Sequence, residues 1–460
     1  MECELFAVCA PGLEPFTESE LRALGAEAVR SEPGGVAFRG GLHVLYTANL
    51  MLRTATRVLV RLGEFHARDF EQLRRRTSRL PFESCLAPGA AVRITASCSR
   101  SRLRHTGAVA ERVRLAIGDR LGVESPAGGP DDLEASERKP ATRARSEAQP
   151  SGGQQGKAAQ RARSEPQASE VDEARARSEA EPSEVKISRP QASEDQNDLG
   201  ERRTRSESKV CVDLNGMGKP LPLVLVRLVH DRCVVSIDAS GALLHQRGWR
   251  KLAGKAPLRE TLAAALLLAG GWDAASPLAD PFCGSGTIAI EAALLARRLA
   301  PGRGRRFAFM DWPGFDAACW SRGLAEADAA ALGSAPPIRA SDRDAGAIEA
   351  ARANADAAGV AFDVDFACRA ISDFEPPPGT GWIVSNPPYG VRLRGGGDLR
   401  DLYARFGAVL RRGCPGWRVA LLCADPRLVR ASELPLESRA SWRNGGLRVE
   451  VFTGVVPGGA

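Results

Sequence analysis

The stretch "PLADPFCGSGTIAIEAALLARRLA", residues 277–300, sets a short apolar run before a glycine-containing loop and a long alanine- and leucine-rich segment after it. This order predicts a buried strand, a tight turn and a helix, the place where a nucleotide-like ligand meets a helix N-terminus in open α/β sheets. No lysine follows the second glycine, so ATP and GTP are disfavoured. Alanine at position 289 is tolerated in a dinucleotide fingerprint, so the glycines argue only weakly against NAD.

Carboxylates at two predicted strand tips indicate the ligand more clearly. Asp280 faces the glycine loop, where an anion repels pyrophosphate but suits a ligand with a cationic amine and a sulfonium, such as S-adenosylmethionine. The next predicted strand ends at Asp342, followed by Arg343, and a carboxylate there can accept both ribose hydroxyls. The alternative is that Asp342 only caps the following helix.

Strand and helix patterns alternate from Leu258 onward. The runs "PIRASDRD", "GWIVSNPP" and "RVALLCAD" predict further buried strands, and "LPLESRASWRNGGLRVEVFTG" predicts a hairpin around Asn444, Gly445 and Gly446. These repeats predict an α/β fold with a mostly parallel, doubly wound sheet that ends in a β-hairpin.

The N-terminal part predicts a small α+β unit. "LFAVCA" and residues 91–98 predict strands, "GLEPFTESELRALG" and a segment starting near Thr106 predict helices, and the turn at His230 and Asp231 predicts a pair of strands. Residues 124–209, rich in Ser, Glu, Arg, Ala, Gln and Pro, show no hydrophobic period. They predict a disordered linker that interrupts this unit and does not divide two domains.

The segment "GWIVSNPPYGVR", residues 381–392, ends an apolar run with an asparagine, two prolines and an aromatic. The Asn386 side-chain oxygen and the Pro387 carbonyl can each accept an N–H bond from an exocyclic base amine, and so aim its lone pair at a methyl group. Pro388 adds stiffness without a competing N–H. Tyr389 offers a face on which a flipped or unpaired base can stack. We expect these residues to form the catalytic site.

The arginine distribution favours a nucleic acid partner. Between Arg53 and Arg120 the chain has fifteen arginines, no lysine and six acids, which suits a polyanion or, alternatively, a well-solvated surface. The RNA contact is predicted just before a helix whose N-terminus can take a phosphate, at Arg100, Arg102, Arg104 and His105.

The spacing of the cysteines and the length of the apolar runs bear on metal binding, disulfide formation and cellular location. The eleven cysteines form no CxxC pair and no Cys/His cluster at metal spacing, so we expect no metal, no disulfide framework and a cytoplasmic protein. The most apolar run, "LAAALLLAGGW", is about half the length of a membrane span, so no membrane segment is expected.

Several further segments carry a family resemblance. "GLEPFTESELRALGA", "SRLRHTGAVAERVRLAIGD", "SIDASGALLHQRGWR" and "APLRETLAAALLLAGGW" join "DPFCGSGT" and "NPPYGVRL" in this likeness. Together they resemble the THUMP-domain class I RNA guanine-N2 methyltransferases, in particular the bacterial 23S ribosomal RNA enzymes of RlmL type and their short relatives. The likeness covers nearly everything except the linker.

This resemblance implies a domain order and an activity. The implied domains are a ferredoxin-like part at 1–50, an RNA-binding THUMP domain at 51–240 interrupted at 124–209, and a Rossmann-like methyltransferase domain at 241–460. The implied activity is S-adenosylmethionine-dependent methylation of a guanine N2 amine in RNA, with 23S ribosomal RNA as first candidate. Transfer RNA, adenine N6 and a non-catalytic RNA-binding assembly factor are the alternatives.

The resemblance also implies site residues by motif position. Base binding falls on Asn386, Pro387, Pro388 and Tyr389. Cofactor binding falls on Asp280, Pro281, Phe282, Cys283, Gly284, Ser285, Gly286, Thr287, Asp342, Arg343 and, after the third strand, Asp373.

Overall fold

The structure, a computed structural model, describes residues 2–122, 209–211, 221–252, 257–389 and 399–458. The predicted linker lies outside these ranges, apart from Lys209, which begins a strand. Within the described ranges, no helix is long and apolar enough to cross a membrane, and no group of three or more His, Cys, Asp or Glu side chains could hold a metal ion.

An N-terminal sheet joins strands from both sides of the undescribed segment. Its elements in chain order are β1 (Cys3–Cys9), α1 (Glu14–Ala23), β2 (Glu27–Glu32), β3 (Gly35–Gly40), α2 (Leu42–Met51), β4 (Ala55–His66), α3 (Phe70–Thr77), β5 (Arg93–Ser99), α4 (Thr106–Leu121), β6 (Lys209–Cys211), β7 (Leu223–Val229) and β8 (Arg232–Asp238). The spatial order is β2-β3-β1-β4-β8-β7-β5-β6. Neighbours are antiparallel except β5 and β7.

The hairpin of β7 and β8 completes this sheet, since it lies between β4 and β5. Its turn at His230 and Asp231 has positive φ at both residues (52° and 61°), and the predicted hairpin is confirmed. The predicted strand at 91–98 is confirmed as β5, shifted by one or two residues. Because β4 pairs with both β1 and β8, the sheet runs across the predicted boundary at residue 50. The division into domains at 50 and 240 stays a prediction.

A second sheet carries the doubly wound part. Its elements are α5 (Glu260–Gly270), β9 (Leu278–Asp280), α6 (Thr287–Ala296), α7 (Ala317–Ala329), β10 (Ile338–Asp342), α8 (Ala345–Ala357), β11 (Val364–Cys368), β12 (Trp382–Ser385), α9 (Leu399–Gly413), β13 (Arg418–Cys423), α10 (Pro426–Ala431), β14 (Leu436–Asn444) and β15 (Leu447–Val455). The spatial order is β11-β10-β9-β12-β13-β15-β14. Strands β9 to β13 are parallel, and β15 and β14 are antiparallel to their neighbours. The predicted α/β fold with a terminal hairpin is confirmed.

The strand order reverses between β9 and β12. From β9 the chain moves outward through β10 to β11, and it then returns to β12 on the other side. Apolar side chains of α5, α6 and α8 pack on one face of this sheet, and those of α9 pack on the other. In open α/β sheets a ligand binds outside the carboxyl ends of the strands at such a switch point. The glycine loop and the proline corner both lie at that edge.

A buried charged cluster joins the segment that precedes β4 to α6 and the residues just after it. The Arg53 Nη2 donates to the carbonyls of Leu294 (3.2 Å) and Leu299 (2.6 Å). The Glu291 carboxylate, fully buried in α6, lies 3.3 Å from the Arg247 Nε and 3.9 Å from the Arg53 Nη1. Arg247 also donates to the Arg53 carbonyl at 2.6 Å. Removing either side from this contact would leave charge buried without a partner.

Candidate active site

The glycine loop between β9 and α6 is held by the neighbouring strand β10. The backbone N–H of Cys283 donates to the Ser341 carbonyl at 3.0 Å, and the N–H of Gly284 donates to the Asp342 Oδ2 at 3.0 Å. The loop residues are mostly buried, with Phe282 and Gly284 partly exposed. Two hydrogen bonds from its backbone N–H groups to β10 therefore fix the loop, which lies at the carboxyl edge of the sheet.

Gly286 is the residue that lets α6 start where it does. It has a φ of +84°, and a Cβ there would lie 3.0 Å from the Ala351 Cβ and 3.2 Å from the Phe366 ring. Gly284 has a φ of +52°, but a Cβ at that position would meet nothing within 4 Å. A side chain at position 286 would therefore crowd its neighbours, whereas the space beside Gly284 is open to a ligand.

Asp280, the last residue of β9, is fully buried with one oxygen unpaired. Its Oδ1 accepts from the Ser385 Oγ at 2.6 Å and from the Phe282 N–H at 3.2 Å. Its Oδ2 has no hydrogen-bond partner. Burial raises the pKa of Asp280 to about 7, the two hydrogen bonds oppose this shift, and the Asp342 charge adds to it. A buried, unpaired carboxylate oxygen at a ligand edge suits a cationic group.

Asp342 binds the glycine loop and does not cap α8. Its Oδ1 accepts from the Asp344 N–H at 3.0 Å, and its Oδ2 accepts from the loop. The cap of α8 is Asp344, whose side chain accepts from Gly346 and Ala347. The capping alternative for Asp342 is therefore wrong. Arg343 is exposed at the same strand end.

Asp373 follows Asp280 and Asp342 in the chain and lies after β11. It ends a short 3₁₀ helix (Ile371–Asp373) after β11 and is exposed. Strand β11 neighbours β10, so Asp373 follows the strand that flanks the Asp342 strand. Its contact with a cofactor stays a prediction.

The proline corner follows directly after β12. The Asn386 Oδ1 is buried and has no hydrogen-bond partner. Pro387 is buried and Pro388 is exposed, and the Pro388 carbonyl accepts from the Tyr403 hydroxyl at 3.4 Å. The half-buried Tyr389 accepts at its hydroxyl from the Asn444 Nδ2 at 3.1 Å. Neighbouring strands β9 and β12 thus each end beside a buried oxygen that lacks a donor.

The residues predicted to contact RNA lie together on one loop. Arg100, Arg102, Arg104 and His105 are all exposed between β5 and α4. The Arg102 backbone N–H donates to the Asp231 Oδ1 at 2.7 Å, which ties this loop to the turn between β7 and β8. Contact with RNA stays a prediction for these side chains.

Several arginines of the arginine-rich stretch are buried or form ion pairs within the protein. Arg53 and Arg57 are buried, and Arg57 pairs with the buried Asp238. Arg74 forms an exposed ion pair with Asp119 at 2.7 Å. The interpretation of the whole stretch as a surface for a polyanion is therefore too broad.

The sequence analysis missed two side chains that position the site. Ser385 donates to Asp280, and its place before the proline corner could have drawn attention to it. Asn354, fully buried in α8, accepts from the backbone N–H groups of Lys251 (2.8 Å) and Leu252 (3.1 Å). Its Nδ2 donates to the Leu252 carbonyl (2.9 Å) and the Ser285 carbonyl (3.2 Å). An asparagine in an alanine-rich helix was the available signal.

Comparison with known proteins matches two families. The RMKL-like methyltransferase domain family covers residues 247–448, and the RlmL ferredoxin-like domain family covers residues 4–59. The protein of Methylococcus capsulatus named "Ribosomal RNA large subunit methyltransferase K/L" is 32% identical over 98% of this chain and 51% of that protein. A Synechocystis protein named "Putative RNA methyltransferase" is 29% identical over 96% of this chain and 94% of that protein. The chain thus spans about half the length of the K/L relatives and nearly all of the Synechocystis one.

Solved structures agree in fold. One described as "a putative methyltransferase complexed with SAH" has a TM-score of 0.72 and 26% identity, and the match covers 100% of this chain and 99% of that chain. Another, described as "a predicted N6-adenine-specific DNA methylase" from Listeria monocytogenes, has a TM-score of 0.71 and 28% identity over 98% of this chain and 96% of that chain. Residues 247–448 of this chain are therefore similar to RMKL-like methyltransferase domains, and residues 4–59 ahead of them are similar to the RlmL ferredoxin-like domain.

Proposed function

We propose that this protein uses S-adenosylmethionine to methylate the exocyclic N2 amine of a guanine in RNA, with 23S ribosomal RNA as the substrate. The observation that carries the proposal is the buried, unpaired Asn386 Oδ1 beside the Asp280 strand. The K/L relatives are named for the large ribosomal subunit, and a structural neighbour was solved with SAH. An enzyme that acts on ribosomal RNA works where ribosomes assemble, which supports a cytoplasmic location.

The residues at the glycine loop fit the proposed cofactor. The free Asp280 Oδ2 suits its amine, the Asp342 carboxylate suits the ribose hydroxyls, and the open space beside Gly284 admits it close to the backbone. When bound, S-adenosylmethionine supplies an electrophilic methyl group on a sulfonium. The loop, Arg343 and Asp373 complete the proposed binding residues.

The proline corner suits an amine that is a poor nucleophile. The guanine N2 lone pair is delocalised into the ring, so the amine needs acceptors that hold it in line. The Asn386 Oδ1 and the Pro387 carbonyl would each accept one N–H, and the Tyr389 ring would stack on the base. Tyr389 is held by Asn444, and the Pro388 carbonyl is held by Tyr403, so the corner is preorganised.

Residues before the methyltransferase domain are proposed to grip the RNA. We assign them to a ferredoxin-like part at 1–50 and a THUMP domain at 51–240, followed by the methyltransferase domain at 241–460. The exposed loop with Arg100 and Arg102 supports this assignment, because guanidinium groups bind phosphates in a bidentate manner.

The test is methyl transfer by the purified protein to unmodified 23S ribosomal RNA and, separately, to transfer RNA. Nucleosides from the digested RNA are separated by chromatography and identified by mass spectrometry. We expect N2-methylguanosine in the ribosomal RNA alone. Asn386→Ala should lower turnover by about 10²- to 10³-fold, the loss typical for one oriented polar group in a transition-state site, with SAH affinity unchanged by calorimetry.

Three results would overturn the proposal. N6-methyladenosine would favour the chemistry named for the Listeria neighbour. Methylation of transfer RNA alone would change the substrate. Binding of RNA without any transferred methyl group would indicate an assembly factor.

A further inference from the structure

The terminal hairpin reaches past the edge of the sheet that holds the candidate site. Strand β13 ends at Cys423, which pairs with Glu450 of β15. Residues 442–449, which include the end of β14, the turn and the start of β15, therefore extend beyond the carboxyl end of β13. Asn444 in this extension donates to the Tyr389 hydroxyl at 3.1 Å. The hairpin tip, defined as residues 443–448, thus lies beside the proline corner.

The hairpin tip places two arginines directly opposite each other. Arg443 and Arg448 are register partners, and both are exposed. Arg448 has only long contacts, an ion pair with Glu450 at 3.9 Å and a hydrogen bond to the Ser441 hydroxyl at 3.5 Å, and within the described residues no acid forms an ion pair with Arg443. Like charges directly opposite on an antiparallel pair destabilise a sheet. Folding alone therefore does not favour this pair, and an anionic partner would.

The base of the hairpin is rigid. Trp442 is buried in the core under the sheet, and a Cβ on Gly12, which lies between β1 and α1, would collide with the Ser441 carbonyl. The turn itself consists of Gly445 and Gly446, both with positive φ (56° and 85°), as a tight two-residue hairpin requires. Because successive side chains of a strand alternate between faces, the two arginines project from this packed base on the face opposite to Trp442 and Asn444, at the rim of the site.

We propose that the hairpin tip is a phosphate clamp, in which Arg443 and Arg448 bind the backbone of the RNA strand that flanks the methylated nucleotide. This inference rests on the proposed function. A base can reach Asn386 only after it leaves its stack, and its flanking phosphates then need new partners at the edge of the site. Arginine suits that role, because its planar fork binds phosphate oxygens in pairs.

The test compares Arg443→Ala/Arg448→Ala with a matched double variant, Arg405→Ala/Arg412→Ala, which removes two exposed arginines from α9. The affinity for unmodified 23S ribosomal RNA is measured by filter binding across a salt series. Two lost phosphate contacts on a single strand should reduce the slope of log affinity against log salt by about 1.4. The α9 variant should keep the wild-type slope.

Further readouts separate a clamp from a structural role. The hairpin variant should bind SAH like the wild type, and its melting temperature should be equal or higher, because a repulsive pair has been removed. Arg443→Lys/Arg448→Lys should retain the wild-type salt slope.

An unchanged slope in the hairpin variant overturns the clamp, while methyl transfer by the wild type leaves the proposed function intact. Equal losses in both double variants would mean a general charge effect and no clamp. A lower melting temperature or lost SAH binding would make the arginines structural. A wild-type protein that does not methylate RNA would overturn both the function and the clamp.

Discussion

SAH binding should depend on pH through a single carboxyl group. The buried Asp280 has a pKa of about 7, raised by burial, and its free Oδ2 is proposed to face the amine of the ligand. Only the ionised form attracts that amine. With this pKa, about 9% of the protein carries the ionised form at pH 6 and about 91% at pH 8, so the dissociation constant should fall about tenfold between these values. The rise in affinity with pH follows from the raised pKa.

The assay is calorimetric titration of SAH at several pH values, with Asp280→Asn as the matched variant. The amide resembles the protonated acid and carries no charge at any pH, so the variant should bind more weakly than the wild type at both pH values, and the difference should be about tenfold larger at pH 8 than at pH 6. Ser385→Ala removes the 2.6 Å hydrogen bond that stabilises the carboxylate. It should therefore raise the pKa of Asp280 and move the wild-type curve to higher pH.

Two results would refute this reasoning. A dissociation constant that stays level from pH 6 to 8 in the wild type would mean that Asp280 does not titrate in this range or does not meet the ligand. A pH dependence that persists in Asp280→Asn would assign it to another group. The amine of a free amino acid stays protonated across this range, so its own titration does not imitate the effect.

Further predictions concern the supports of the site. Glu291→Ala leaves Arg247 buried without its carboxylate, and should cost about 3–5 kcal/mol of unfolding free energy in a urea titration; a loss below about 1 kcal/mol would show that the cluster is solvated. Gly286→Ala should lower the melting temperature more than Gly284→Ala, since both incur about 1–2 kcal/mol for a left-handed backbone but only the first crowds its neighbours, Ala351 and Phe366. Asn354→Ala should cost about 1–3 kcal/mol, because it leaves buried backbone groups unpaired, and equal urea midpoints for variant and wild type would contradict this.

The parallel strands and their ligand edge could be predicted because their signals are local. A short apolar run followed by an acid or an asparagine marks a buried strand that ends at a site, as at Asp280 and Asn386. The edge strand β2, "EAVRSE", was not predicted, since it is largely exposed and lacks regular alternation. Tertiary pairing with β3 stabilises it.

The partners of the site residues could not be predicted, because they are distant in the chain. Ser385 and Asp280 are 105 residues apart, and Asn354 is 69 residues from Ser285 of the glycine loop and more than a hundred from Lys251 and Leu252. Glu291 lies in an apolar helix where a carboxylate has no local reason to be buried. Arg53 and Arg247 come near this carboxylate only through the tertiary packing of the two sheets, which the local sequence does not reveal.

Helix α6 couples the local stability of the two sheets. It starts at the glycine loop, and one turn later Glu291 lies 3.9 Å from Arg53, which precedes β4 of the N-terminal sheet. Separating that contact would leave a buried charge without its partner. Local opening of one sheet should therefore accompany local opening of the other. A ligand at 100 times its dissociation constant adds about 2.7 kcal/mol to the folded state. In hydrogen exchange, amides of α2 and β4 should therefore gain protection when SAH binds, more than those of the edge strand β2.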